Sequence, residues 1–394
     1  MTISHISTNA WTRFWSLDPE ITYLNHGSFG ACPLPVLERQ RELQLQVEAN
    51  PTKFFEEVYE PLLDAARARL AEFLGADADD LAFVQNATTG VNTVLRSLDL
   101  KPGDELLTTD HEYNACRNAL DFVAERSGAR VVVANVTLPV RSPEQIVDAV
   151  IAGVTSRTRL VLIDHVTSKT AIVQPVESLV AKLNDLGVDV LVDGAHAPGM
   201  VEVDIKSFRP AYYAGNCHKW LSAPRGAGFL YVRRDKQQSV RPLSISHGTN
   251  SNRTDRSRFI LEFNWTGTQD LSAYLSVPHA LDFLGGLLPG GWDELRRRNH
   301  ALVIEARRLV CSTLDTVAAC PESMTGSMVS ILLPNGLPNE LSHILRHQWH
   351  IDVPIHDSPD GQGRYIRLSA QIYNTLDDYA KLAHTLTSMM SIST

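Results

Sequence analysis

The run Val190-Leu191-Val192-Asp193-Gly194-Ala195-His196 is an apolar segment closed by an aspartate. Further on, Lys219 stands in Gly215-Asn216-Cys217-His218-Lys219-Trp220-Leu221, small and apolar residues around a His-Lys pair. An apolar strand ending in a carboxylate puts that group at the edge of a sheet, where α/β domains bind their ligands. A lysine in such a loop can shed its charge and serve as a nucleophilic amine.

Outward from these runs, short apolar segments alternate with helical stretches. Strands are expected at 81–84, 105–109, 130–134, 160–163, 189–192 and 227–232. Helices are expected at 62–74, 90–98, 115–127, 144–153 and 175–186. That alternation predicts an α/β domain around a mostly parallel sheet. The Arg-, Ser- and Asn-rich stretch 233–270 breaks the rhythm and reads as long ordered loops at a subunit contact. Residues 271–285 read as helix, and the glycines and proline of 285–291 as a hinge. Beyond it, helices near 292–312, 340–349 and 376–391 and strands near 327–333, 351–355 and 364–369 predict a second, smaller α+β domain. Residues 1–20, with Trp11, Phe14 and Trp15, are expected to pack on another element.

A chain of 394 residues that is 44% hydrophobic can bury a large core in two or more domains. Its net charge of -9 repels phosphate backbones, so no nucleic-acid partner is expected. Cys32, Cys116, Cys217, Cys311 and Cys320 show no Cys-x-x-Cys spacing, which argues against a disulfide framework and a zinc site. No metal is expected, and a cytoplasmic location fits best. No run approaches about 18 apolar residues and no signal stretch opens the chain, so no membrane span is expected.

The chemistry gathers at four places. Asp193 can face a protonated pyridine nitrogen while Lys219 holds an aldehyde as a Schiff base, which points to pyridoxal 5'-phosphate (PLP) and a small amino acid or amine as substrate. His218 can donate to the cofactor phosphate and His196 to its ring hydroxyl. In Val84-Gln85-Asn86-Ala87-Thr88-Thr89-Gly90 a strand gives way to a helix start, and Ala87, Thr88 and Thr89 can cradle the phosphate there; a plain N-cap is the ordinary alternative. In Asp110-His111-Glu112-Tyr113-Asn114-Ala115 an aromatic ring can stack on the pyridine, Tyr113 ahead of His111. Arg367 suits a clamp on a substrate carboxylate, and Asn25 and His26 are placed over the same cleft.

Tyr23-Leu24-Asn25-His26-Gly27-Ser28-Phe29-Gly30, Asn86-Ala87-Thr88-Thr89-Gly90, Asp193-Gly194-Ala195-His196, His218-Lys219-Trp220-Leu221, Trp265-Thr266-Gly267-Thr268 and Arg367-Leu368-Ser369 together resemble the class V aminotransferase family of fold-type-I PLP enzymes, in particular its isopenicillin N epimerase-like branch. The resemblance implies a large PLP-binding α/β domain over 21–285 with a mostly parallel seven-stranded sheet. It implies a small α+β domain over 286–394 joined by residues 1–20. It also implies a homodimer in which Thr268 reaches the phosphate of the partner's cofactor, with Thr88 and Thr89 on the phosphate and Arg367 on the substrate carboxylate.

Lys219, Asp193 and Tyr113 are the expected catalytic residues of a reaction that starts with loss of the α-proton. Epimerisation is the first reading. C–S lysis of cysteine or cystine by β-elimination and transamination are the alternatives, and a catalytically silent PLP-binding homologue is the non-enzymatic one. A desulfurase that carries a persulfide is disfavoured, because 321–366 contains no cysteine ahead of Arg367.

Overall fold

Among residues 9–392, which the computed structural model describes, seven strands form the sheet that carries Asp193. They are β1 (Leu81–Val84), β2 (Glu105–Thr109), β3 (Arg130–Ala134), β4 (Thr158–Asp164), β5 (Asp189–Gly194), β6 (Tyr212–Asn216) and β7 (Gly228–Val232). Their spatial order is β1-β7-β6-β5-β4-β2-β3. Only β7 opposes its neighbours; the other adjacent pairs run parallel.

The central strands read as unbroken apolar runs because both faces are covered. Successive side chains enter different cores. Val161, Ile163, Val190 and Val192 pack with Leu179, Val180 and Leu183 of the helix Val176–Asp185. Leu160, Leu162 and Leu191 pack on the other side with α1 (Ala87–Ser97) and α2 (Asn114–Ser127), through Val91, Val94, Leu95, Cys116 and Leu120. The parallel strands β1, β4 and β5 thus end on the same edge, so Asn86, Asp164 and Asp193 arrive together.

The smaller domain has an antiparallel sheet of β8 (Met328–Leu332), β9 (Ile355–Asp357) and β10 (Arg364–Ser369), in the order β9-β10-β8. Its core joins Val329, Ile331 and Leu368 to Val303 and Val310 of the helix Gly291–Leu314 and to Tyr379 and Leu382 of the helix Leu376–Ile392. Thr22–Tyr23 pairs in parallel with Ile351–Asp352, and Leu24 enters this same core. The small domain therefore takes up residues beyond the segment 1–20. Within that segment, Asn9 donates to the Ile372 carbonyl at 2.6 Å and Trp15 meets Tyr373 edge-on; residues 1–8 lie outside the described residues.

Three elements depart from expectation. Strand β6 has no run of β-branched residues; its Tyr-Tyr-Ala-Gly-Asn sequence is shaped by neighbours, and a Cβ on Gly215 would meet the Phe229 ring at 2.4 Å. The helix Leu34–Ala49 buries only Val36 and Leu43, too little to show a period. The stretch 233–270 is not all loop: Arg258–Asn264 is helical and buries Phe259 through Asn264, so it carries no amphipathic signature. Among the described residues no helix is long and apolar enough to cross a membrane.

Candidate active site

A cleft of about 650 Å³ opens at this edge of the large sheet, lined by Asn86, Ala87, Thr88, Tyr113, Asp164, Asp193, His196, His218 and Lys219, with Ser28, Phe29 and Ser168 among the residues at its rim. The Lys219 amine lies 3.0 Å from Nε2 of His196. Burial first, and the Arg367 charge second, lower the Lys219 pKa to about 8, while Asp193 and Asp164 pull it back up. The same burial holds His196 neutral.

Asp193 is 2% exposed and anchored on both oxygens: Oδ1 accepts from the Ala195 amide at 2.9 Å and Oδ2 from the Cys116 thiol at 3.1 Å. Beside it, Asp164 occupies the paired position on β4 and lines the same cleft. Behind it, Glu112 takes hydrogen bonds from Thr108 Oγ1 at 3.0 Å and from the Tyr113 amide at 3.1 Å. Burial, and the charge of Asp193, push Glu112 up to about 8.

The helix start at Asn86 departs in detail from the expected phosphate cradle. The Asn86 side chain caps α1 by accepting from the Thr89 amide at 2.8 Å. The Ala87 amide is spent on Asn216 Oδ1 at 2.9 Å, although Ala87 still lines the cleft. The Thr89 hydroxyl sits 3.1 Å from Asn86 Oδ1, and its side chain faces a neighbouring cavity of about 600 Å³ with Thr266 and Gln269. Thr88 is left facing the cleft, with an amide in the first turn that no intrahelical carbonyl can satisfy. His218 donates from Nδ1 to the Ala227 carbonyl at 3.3 Å and presents its other edge to the cleft. Thr268 is exposed and does not line the Lys219 cleft of its own chain.

Asn25 and His26 are a correction: neither lines the cleft. Asn25 is 5% exposed and its amide donates to Asp352 Oδ1 at 3.0 Å. His26 is fully buried, with Nε2 3.0 Å from the Lys219 carbonyl and Nδ1 2.9 Å from the Tyr373 hydroxyl. The ring donates to the carbonyl and accepts from the phenol. Gly30, at φ +66°, completes this buttress: a Cβ there would lie 1.9 Å from the His218 carbonyl oxygen. The Asn25–Gly30 motif thus supports the Lys219 loop from below. Its Ser28 hydroxyl does reach the cleft, accepting from Arg367 Nη2 at 2.7 Å. Arg367 Nη1 donates to the Ser168 carbonyl at 2.6 Å, so the buried guanidinium stands behind the rim that Ser28 and Ser168 form.

Tyr113 lines the cleft and is 42% exposed. His111, the second choice for stacking, is turned inward, with its ring nitrogens 2.8 Å from Thr170 Oγ1 and 2.8 Å from the Val136 carbonyl. Among the described residues no cysteine lines the cleft. Asp164 and Asn216 are the residues that sequence reading missed. The apolar run ending at Asp164 repeats the pattern that singled out Asp193, whereas nothing local marks Asn216.

The residues present fit PLP. One cleft brings together a carboxylate fixed by two donors, a lysine of lowered pKa and a helix N-terminus. Two buried polar atoms of lining residues, Asp164 Oδ2 and His196 Nδ1, have no hydrogen-bond partner in the protein. A bound polar ligand answers that deficit. Fold and site define a PLP-dependent enzyme of fold type I.

The family description "Aminotransferase class-V" matches residues 22–382, and the chain belongs to that family. It is 38% identical over 388 residues to "Isopenicillin N epimerase" of Amycolatopsis lactamdurans, covering 94% of this chain and 96% of the relative. It is 33% identical over 412 residues to "Probable L-cysteine desulfhydrase, chloroplastic" of Arabidopsis thaliana, covering 98% and 86%. A solved structure of a C-DES mutant with glycine covalently linked to the PLP cofactor superposes with a TM-score of 0.81 at 22% identity, covering 96% of this chain and 99% of that one.

Proposed function

We propose that this enzyme is a C–S lyase acting by β-elimination on a cysteine-type amino acid. The observation that carries the reading is the pairing, in one cleft, of a proton-accepting Lys219 amine with Arg367 behind the rim, and no thiol among the described lining residues. A desulfurase needs a cysteine there to take up sulfur; an eliminating lyase needs only α-proton loss and a leaving group. Similarity to cysteine desulfhydrases of plants supports the same choice.

PLP, when bound, supplies an electron sink for the bonds broken at the substrate α-carbon. Arg367 holds the α-carboxylate, displacing the Ser28 and Ser168 contacts it now makes. The Lys219 amine takes the α-proton. Asp193 would keep the ring nitrogen protonated, His196 would donate to the ring hydroxyl, Tyr113 would cover the ring face, and Thr88 would hold the phosphate, joined by His218 once the phosphate charge draws a second proton onto its free ring nitrogen. The C–S bond breaks with its electron pair leaving on sulfur. Hydrolysis then gives pyruvate, ammonia and sulfide from cysteine. The exposed Thr268 fits a homodimer in which it serves the partner's site, and the composition fits a cytoplasmic protein.

Epimerisation is the second reading, favoured by the relative from Amycolatopsis and by Tyr113, a hydroxyl within the same cleft. Incubation with cysteine, cystine and other amino acids in heavy water separates the two. Release of pyruvate and sulfide is expected. Deuterium at the α-carbon with inversion and no pyruvate across the panel would replace the lyase by the epimerase.

A further inference from the structure

Asp164 is a buried carboxyl for which nothing above supplies a task. It is 3% exposed, lines the cleft, and its Oδ2 has no partner in the protein. It stands beside Asp193 at the matching position of the adjacent parallel strand, so both side chains leave the same face of the sheet. Glu112, Asp193, Cys116 and Lys219 are the titratable groups close enough to act on it. An orphaned, fully buried carboxylate oxygen is costly unless it carries a proton or meets a ligand.

Neighbouring carboxyls in one dry site do not ionise together. Burial raises the Asp193 pKa as well, but hydrogen bonds on both its oxygens and the Lys219 charge pull it back toward the anion; Asp164 has no comparable pair of side-chain or loop donors. Burial, then Glu112 and Asp193, accordingly push the Asp164 pKa well up. The proton belongs on Asp164.

The sheet order fixes which part of the cofactor Asp164 meets. The helix α1 that takes the phosphate follows β1, on one side of β5; β4, with Asp164, lies on the other side. With the ring nitrogen at Asp193 and the phosphate toward α1, the opposite edge of the ring bears the methyl group and the 3-oxygen. We propose that Asp164 is a second cofactor-facing carboxyl, which keeps its proton and donates it as a hydrogen bond to the 3-oxygen of PLP, leaving Asp193 alone to serve the ring nitrogen. The division of labour gives one anion to one pyridinium and adds a second neutral donor, beside His196, to the developing negative oxygen. It rests on the PLP assignment and not on the choice between elimination and epimerisation.

The test uses the holoenzyme and no substrate. Asp164→Asn keeps a neutral donor of the same shape, whereas Asp164→Leu keeps the volume and cannot donate. PLP dissociation, measured by dialysis, is expected to stay within about threefold of wild type for Asn and to weaken by about tenfold for Leu, the worth of one buried hydrogen bond. The infrared difference between loaded wild type and Asp164→Asn should show one protonated-carboxyl stretch lost with Asp164, over the stretch that protonated Glu112 keeps in both. Asn losing affinity as Leu does, Leu binding as wild type does, or a carboxyl stretch unchanged in Asp164→Asn would each overturn the proposal. Should Asp164→Leu fail to fold, the infrared comparison of wild type with Asp164→Asn still decides it. Failure here leaves a working lyase or epimerase intact, since those are read from products.

Discussion

The Cys116 thiol donates to Asp193 Oδ2 across 3.1 Å, and α2 holds it there with no exposure to solvent. Burial pushes the thiol pKa well up, so it stays a donor at any ordinary pH. A thiol is a weak donor, and it steadies the aspartate without draining its basicity toward a pyridinium. Cys116→Ala should leave the protein folded and raise the PLP dissociation constant by about three- to tenfold, as expected for one lost hydrogen bond. Unchanged affinity in a titration of the apoenzyme would show that the contact has no bearing on the cofactor.

The buttress under the Lys219 loop makes a second prediction. His26→Ala strands the Lys219 carbonyl and leaves a hole beside Trp220, whose ring centroid lies 4.9 Å from that of His26. The loss should be about 2–4 kcal/mol in denaturant unfolding, with slower cofactor attachment. Gly30→Ala should be worse for the site, because its methyl would press on the His218 carbonyl. A Gly30→Ala enzyme that takes up PLP at the wild-type rate would contradict the buttress.

Two pH dependences follow, with opposite chemical meaning. The amine of Lys219 must be neutral to attach an aldehyde, and its pKa is near 8; reconstitution of apoenzyme should accelerate as pH rises through about 8 and then level. Stability follows the buried histidines. His26, His165, His218 and His356 are lowered to about 4 by burial. Between the ordinary histidine value near 6.5 and that figure, these four groups bind more protons in the unfolded chain than in the native one, so their contribution to stability rises with pH and is lost as pH falls through this window; protonated Glu112 and Asp164 act in the opposite direction and offset part of it. A melting temperature flat from pH 7 to pH 4.5 would refute the reading.

Arg367 tests substrate binding apart from chemistry. Arg367→Lys keeps the charge but loses the two-pronged geometry. KM for the amino acid should rise about tenfold or more, with a smaller change in kcat and unaltered PLP binding. A fall in kcat at constant KM would place the arginine elsewhere in the reaction.

The sheet was legible because β4 and β5, covered on both faces, write themselves as apolar runs closed by Asp164 and Asp193. Strand β6 was not, since Gly215 and its neighbours are chosen by the Phe229 ring from another strand. Lys219, Asp193, His196 and His218 could be grouped from sequence because sheet order brings strand ends together. The duty of His26 could not: its partners are the Lys219 carbonyl and Tyr373, and backbone acceptors leave no trace in side-chain chemistry. The same blindness hid the spending of the Ala87 amide on Asn216.

The central claim is a covalent bond between Lys219 and the aldehyde of PLP. Borohydride reduction of the reconstituted enzyme, followed by peptide mapping, tests it most directly. A pyridoxyl adduct on Lys219, absent from Lys219→Ala, is the predicted result. An adduct on another lysine, or a bound cofactor that borohydride never fixes, would contradict the account.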